Sequence, residues 1–337
     1  MPVPYRHLHR NSTVSPDSGE FHVSLVYSPL YQINLDGLED SHPFDIKKLS
    51  RIYSKLVEEG YVSTSSVIEP EGLSDQDIRS VHTDSFFSSL DNPHFISTCL
   101  ESPIISNLPP DYVRNRIVHP FRCIAGGTIG AARAALESGI GINIGGGFHH
   151  AKPEKGEGFC IFADIPIAIR STRHLGGNLR TLIIDLDVHQ GNGLAVCHKN
   201  DNDVFIFSMH QGNIYPIPKE QSDLDIQLNP GTNDEQYIRI LKEHLPAIFN
   251  QVRPQIVFYV AGCDTSAEDP LASLEMTARG INCRDLLVID HCASNSVPVA
   301  MTLGGGYSPH AWEIQYETIR RIIEKYGLCS LSNYSPL

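Results

Sequence analysis

Leu182–Gly193 reads LIIDLDVHQGNG. Leu182, Ile183, Ile184 and Leu186 surround Asp185, and the run closes on Asp187, Val188 and His189 before a Gln-Gly-Asn-Gly turn. An apolar run bounded by glycines predicts a buried strand of a parallel sheet. Its polar residues stand at the C-terminal end, the edge where open α/β sheets bind ligands. Asp187 and His189 are two apart, so in an extended chain both point to one side. Such a pair is either two metal ligands or an Asp–His hydrogen bond closing the strand.

The rest of the chain alternates strands and helices. Strands are predicted at 21–27, 141–144, 180–187, 204–209, 224–228, 255–262 and 297–303. Helices are predicted at 44–60, 164–173, 233–250, 274–293 and 310–326, with a short helical region at 75–90. Residues 121–138 are rich in Ala and Gly and predict a helix that packs closely on its neighbours. Residues 92–111, rich in Pro and Ser, predict an irregular loop. Strands separated by helices imply an α/β fold with a mainly parallel sheet covered on both faces. Residues 1–19 are polar and lack the apolar core of a signal peptide, so they are expected to form a partly mobile arm. Residues 20–330 are expected to form one domain.

Composition narrows the function. Of 337 residues, 41% are hydrophobic and 19% charged, which is ordinary for a globular protein. The formal net charge of −13 argues against a nucleic-acid surface and is compatible with a Lys-rich peptide or a polyamine. No apolar run approaches the roughly 20 residues that span a bilayer. The eight cysteines form no C-x-x-C pair, as expected of reduced thiols in the cytoplasm.

Four strand ends carry complementary chemistry. His149 and His150 follow the strand at 141–144, and Asp187 and His189 follow the strand quoted above. Asp264 follows the strand at 255–262, and Tyr307 the one at 297–303. Parallel strands bring these ends to one edge. Asp187, His189 and Asp264 are three N/O ligands that leave one position of a Zn²⁺-like ion open. The two histidines offer a base and an acid, and Asp185 can fix the tautomer of one of them. Tyr307 can donate its hydroxyl to a developing oxyanion. This set describes metal-assisted amide hydrolysis. Taken singly, each feature has a plainer reading: loop histidines, a tight glycine turn, a helix-capping Asp.

GGGFHHAKPEKGEGFC, DLDVHQGNG, AGCDTSAEDPL and LGGGY, with VYSPLYQINLDGLEDSHPFD near the N-terminus, resemble the zinc-dependent histone deacetylases, and within them class IV. The likeness runs from about residue 20 to residue 326. It implies the three-layer arginase/deacetylase-type fold, with a mainly parallel sheet of about eight strands. It implies zinc on Asp187, His189 and Asp264. It pairs His149 with Asp185, makes His150 the general base and acid, and makes Tyr307 the carbonyl-polarising group. Gly158, Phe159, Tyr215, Leu271, Gly305 and Gly306 are implied to line an acyl-lysine tunnel. A structural K⁺ is implied around Asp185, Asp187, His189, Ser208 and Met209. Class I relatives have an Asp where this chain has Asn192, so His150 should be less basic here.

The implied activity is removal of acetyl or long-chain fatty acyl groups from lysine in histones or other proteins. The alternatives are an acetylpolyamine amidohydrolase, a two-metal arginase-type ureohydrolase and an inactive acyl-lysine reader. Gly191 and Ser266 stand where a second metal would need Asp, which disfavours the ureohydrolase.

Overall fold

In a computed structural model that describes residues 20–329, eight strands form one parallel sheet. They are His22–Val26 (β1), Val67–Ile68 (β2), Gly139–Asn143 (β3), Thr181–Asp185 (β4), Val204–Gln211 (β5), Leu224–Leu228 (β6), Ile256–Val260 (β7) and Val299–Thr302 (β8). Their spatial order is β2-β1-β3-β8-β7-β4-β5-β6. The run first quoted lies inside the sheet, with β7 paired to one side of β4 and β5 to the other. Every residue of β3, β4, β7 and β8 is buried. A strand with helices over both faces has no solvent side, so it reads as a continuous apolar run instead of an alternating one.

The Ala/Gly-rich helix His119–Ser138 lies against β1, β3 and β8. Small residues make that approach possible. A Cβ on Gly127 would sit 1.9 Å from the Tyr31 hydroxyl, and one on Gly141 would sit 1.9 Å from the Ala131 carbonyl oxygen. The helix Ala278–Ser294 packs beside Ala311–Tyr326, which reaches across to Lys47–Glu58. The fold therefore has helices on both faces of the sheet, as expected.

Two expectations need correction. Residues 92–111 are not an irregular loop: they hold the helix Pro93–Cys99, a 3₁₀ turn at Pro103–Asn107 and the start of a further helix at Pro110. The Asn92 side chain accepts from the His94 N–H at 3.0 Å and Pro93 fills the first helical position. Asn and Pro act here as helix-start signals, not breakers. Secondly, β4 ends at Asp185, so Asp187 and His189 are not brought together by strand alternation. The Asp187 carboxylate accepts from the His189 backbone N–H at 3.0 Å, a turn closed by a side chain. The expected arm at 1–19 lies outside the described residues.

Ile183 is fully buried at the centre of β4. Ile183→Ala should cost roughly 2–5 kcal/mol of stability, read as a lower denaturant midpoint at unchanged slope. A loss below about 1 kcal/mol would contradict close packing at this strand.

Candidate metal centre and active site

The strand ends converge as the order of the sheet requires. Asp187, His189 and Asp264 place one ligand atom each within 4.8 Å of one another, and all three residues are buried. His189 Nδ1 lies 3.3 Å from Asp187 Oδ1 and 3.3 Å from Asp264 Oδ2. Among the described residues this is the one cluster of three or more such groups that can close on an ion.

The electrostatics of the cluster are those of two acids and an imidazole held close together. Burial, and then the neighbouring Asp187 charge, push the Asp264 carboxyl up to about 7. Burial would lower His189, but its hydrogen bonds to Asp187 and Asp264 and their charges outweigh it and raise it to about 10. Two buried carboxylates facing each other are stabilised by a proton shared between them or by a bound cation. Two carboxylates and an imidazole are suitable donors for Zn²⁺. The glycine turn behind them keeps the space clear: a Cβ on Gly305 would meet Asp264 Oδ2 at 2.1 Å and Asp187 Oδ2 at 2.7 Å. The Gly305 N–H instead donates to Asp187 Oδ2 at 2.7 Å.

The histidine pair sits beside this cluster, with ring centroids 4.0 Å apart. His149 Nδ1 donates to Asp185 Oδ2 at 2.8 Å, and His150 Nδ1 to Asn192 Oδ1 at 2.7 Å. The two environments push the rings in opposite directions. Burial lowers His149, yet the charges of Asp185 and Asp187 overcome it and raise it to about 9. Burial and then the charges of His149 and His189 hold His150 well below the ordinary range, which the Asn192 hydrogen bond only partly offsets. The two partners thus favour opposite states of the two rings, the imidazolium at His149 and the neutral ring at His150.

A cavity of about 240 Å³ opens onto these groups. His150, His189, Gly158, Phe159, Tyr215 and Tyr307 line it, with Glu101 and Leu271. Tyr215 and Leu271 are partly exposed, at 37% each, and mark its mouth. Gly158 has φ +57° and lies flat on His150, where a Cβ would meet the ring at 2.5 Å. The Tyr307 phenol is pushed far up by burial and then by the Asp187 and Asp264 charges, so it stays a donor. Gly305 and Gly306 do not border this cavity. Both were expected on the tunnel wall; they lie behind the carboxylates, because any side chain there would strike Asp264 or Cys263. Ser208 and Met209 are buried on β5, Ser208 in register with Asp185.

Several supporting residues escaped the sequence reading. Asp164 accepts from the Gly147 and Phe148 N–H groups at 2.8 Å each and shapes the turn that delivers His149. Asp269 accepts from the Tyr307 N–H at 2.8 Å. Arg284, fully buried, donates to the Leu186 carbonyl and to Thr265 Oγ1, both at 3.1 Å, and so ties together the two segments that bear the carboxylates. Lys48, 1% exposed, reaches the Gly304 and Gly306 carbonyls at 3.4 and 3.3 Å. Its signal was present: Lys48, Ile52 and Leu56 share one helical face, so a lysine stands in an apolar stripe.

The fold is the arginase/deacetylase architecture of a family of hydrolases, and the site presents a buried ligand set for a metal ion. Comparison with known proteins is specific: the histone deacetylase domain matches residues 42–322. Histone deacetylase 2 of Arabidopsis thaliana is 35% identical over 303 residues, covering 89% of this chain and 78% of that protein. A probable deacetylase of Archaeoglobus fulgidus is 30% identical over 288 residues, covering 80% and 77%. Among solved structures, the HDA15 HD domain superposes with a TM-score of 0.71 at 20% identity, covering 92% of this chain and 94% of that one. The chain belongs to the histone deacetylase family. That family is zinc-dependent, and the buried Asp187–His189–Asp264 cluster is a matching ligand set.

Gly305→Ala should leave the circular dichroism spectrum intact and weaken zinc binding by about tenfold or more in a chelator competition. Wild-type affinity in this variant would contradict the placement of the ion.

Proposed function

We propose that this chain is a zinc-dependent, class IV-like protein lysine deacylase. The observation that carries the reading is the pair of buried histidines, His149 on Asp185 and His150 on Asn192, beside the buried Asp-His-Asp cluster. Acyl-lysine enters between Phe159 and Tyr215, which hold its aliphatic stem. Asp187, His189 and Asp264 would hold a zinc ion, which would supply Lewis acidity toward the acyl carbonyl and would lower the pKa of bound water to about 7. His150 Nε2 takes a proton from the attacking water, while its Nδ1–H stays on Asn192. The water oxygen bonds to the acyl carbon, and the Tyr307 hydroxyl donates to the oxyanion that forms. His150 passes its proton to the lysine nitrogen as the C–N bond breaks. His149, protonated against Asp185, contributes fixed positive charge. The products are a free lysine amine and a carboxylate.

Acetyl and long-chain acyl groups both belong to this reading. A structural K⁺ held by Asp185, Asp187, His189, Ser208 and Met209 is part of the proposal, as is a reducing, cytoplasmic setting, which fits the unpaired thiols of Cys99, Cys160 and Cys263 near the site. No helix among the described residues is long and apolar enough to cross a membrane. One observation favours an acetylpolyamine as the second reading: Glu101 stands at the cavity mouth, where a cationic substrate would meet it. The Asp that a second metal would need at Gly191 does not fit there, because its Cβ would strike Asp185 Oδ2 at 2.3 Å.

Lysine peptides carrying acetyl to myristoyl groups, assayed beside acetylspermidine, should release carboxylate in a zinc-dependent way. Turnover should vanish in His150→Ala and fall roughly 10²–10³-fold in Tyr307→Phe. Release from acetylspermidine alone would transfer the assignment to the polyamine reading, and peptide binding without release would make the protein a reader. The pH profile gives a separate check. Because His150 must be neutral to act, its lowered proton affinity places the acid limb of kcat/KM below the ordinary histidine range. Asn192→Asp adds a negative charge beside the ring and should move that limb upward; an unmoved limb would remove His150 from the base role.

A further inference from the structure

Asn192 can hold His150 in two ways. Its side chain is an amide, with an acceptor at one end and two donor hydrogens at the other. If the oxygen faces the ring, His150 must carry its proton on Nδ1, and Nε2 keeps the lone pair that a base needs. If the amide turns over, its NH₂ faces Nδ1 and the proton is forced to Nε2, which then has nothing to accept with. An aspartate at this position would have no such ambiguity, because both its oxygens accept. Something else must choose the orientation in this chain.

The far end of the amide meets Glu157. Asn192 Nδ2 lies 2.6 Å from Glu157 Oε1. A carboxylate only accepts, so it admits the NH₂ end and rejects the oxygen. Glu157 is in turn held as a carboxylate by two lysines. Lys152 Nζ lies 3.0 Å from Oε1, and Lys155 pairs with the other oxygen. Burial raises Glu157, but the hydrogen bonds from Lys155, Lys152 and Asn192 outweigh it and hold the group below its ordinary value. The backbone supports the same placement. Glu157 and Cys160 bridge across a tight turn that carries Gly158 onto the His150 ring and Phe159 onto the cavity wall.

We infer that Glu157 is a positioning residue: it locks the Asn192 amide, and through it the His150 tautomer, from outside the reacting groups. The inference rests on the deacylase reading for its consequence in turnover, but the tautomer itself can be read without turnover. The acceptor-only carboxylate that fixes the base has moved one hydrogen bond outward, and the neutral amide relays its choice. His150 thereby keeps a fixed tautomer without a negative charge in contact with its ring.

The test uses the full-length, zinc-loaded protein labelled with ¹⁵N-histidine, with the His150 signals assigned by their absence in His150→Ala. Wild type should show a protonated Nδ1 and an unprotonated Nε2. Glu157→Ala should lose that single tautomer, and its kcat on an acetyl-lysine peptide should fall about tenfold while KM stays within about twofold. Glu157→Gln, which still presents an oxygen to Asn192 and Lys152, should recover the tautomer and most of kcat. Zinc content and circular dichroism confirm that each variant is folded and loaded. A wild-type tautomer and kcat in Glu157→Ala would overturn the inference, as would a Glu157→Gln variant that falls as far as the alanine. An inactive wild type with the tautomer still dependent on Glu157 would instead overturn the deacylase reading and leave the positioning role standing.

Discussion

Two buried carboxylates that face each other are the constraint around which this molecule is built. Asp187 and Asp264 are almost wholly removed from water and share His189 between them. In a low-dielectric interior their repulsion is severe unless a cation intervenes. The surrounding structure does not relieve the repulsion by parting them; it holds them in place. Arg284 ties down the two segments that carry them, and Gly305 donates to one while leaving the volume between them clear. A protein that keeps such an arrangement has invested folding free energy in an ion site.

The same logic of opposed environments organises the chemistry next to it. His149 and His150 are adjacent in sequence and nearly stacked in space, yet one faces a carboxylate and the other an amide. The difference lies in their partners and not in the rings. Asp185 makes one a stable cation, and that cation helps to keep the other neutral. In the proposed mechanism, the division of labour between the two rings follows from these two hydrogen bonds.

Much of this was legible before any coordinates. Seven of the eight strands are readable, the central ones because a sheet covered on both faces leaves continuous apolar runs; β2, at Val67–Ile68, is missed because two residues display no period, and the convergence of the site residues is readable because parallel strands end on one edge. What could not be read was whatever depends on contacts between distant residues. Glu157 and Asn192 meet across 35 positions of sequence. Arg284 lies on a helix about 100 residues from Leu186, whose carbonyl it holds. The helix at Pro93–Cys99 was missed for a different reason: its Asn and Pro are start signals only when the chain after them is helical, and the short segment has too few turns to display a period. Gly305 and Gly306 were misplaced because a glycine-rich turn does not say which of its sides faces the substrate.

Lys48 has a consequence for how this domain can be divided. It is carried by the helix Lys47–Glu58, far from every catalytic motif, yet its ammonium sits among Asp187, Asp264 and Asp269. Burial lowers the proton affinity of that lysine, and the charges of Asp264, Asp187 and Asp269 partly restore it. The first third of the chain, which bears no metal ligand, is thus electrically part of the centre. A fragment that kept every catalytic motif but began after this helix would carry a net anionic hole where the active site should be.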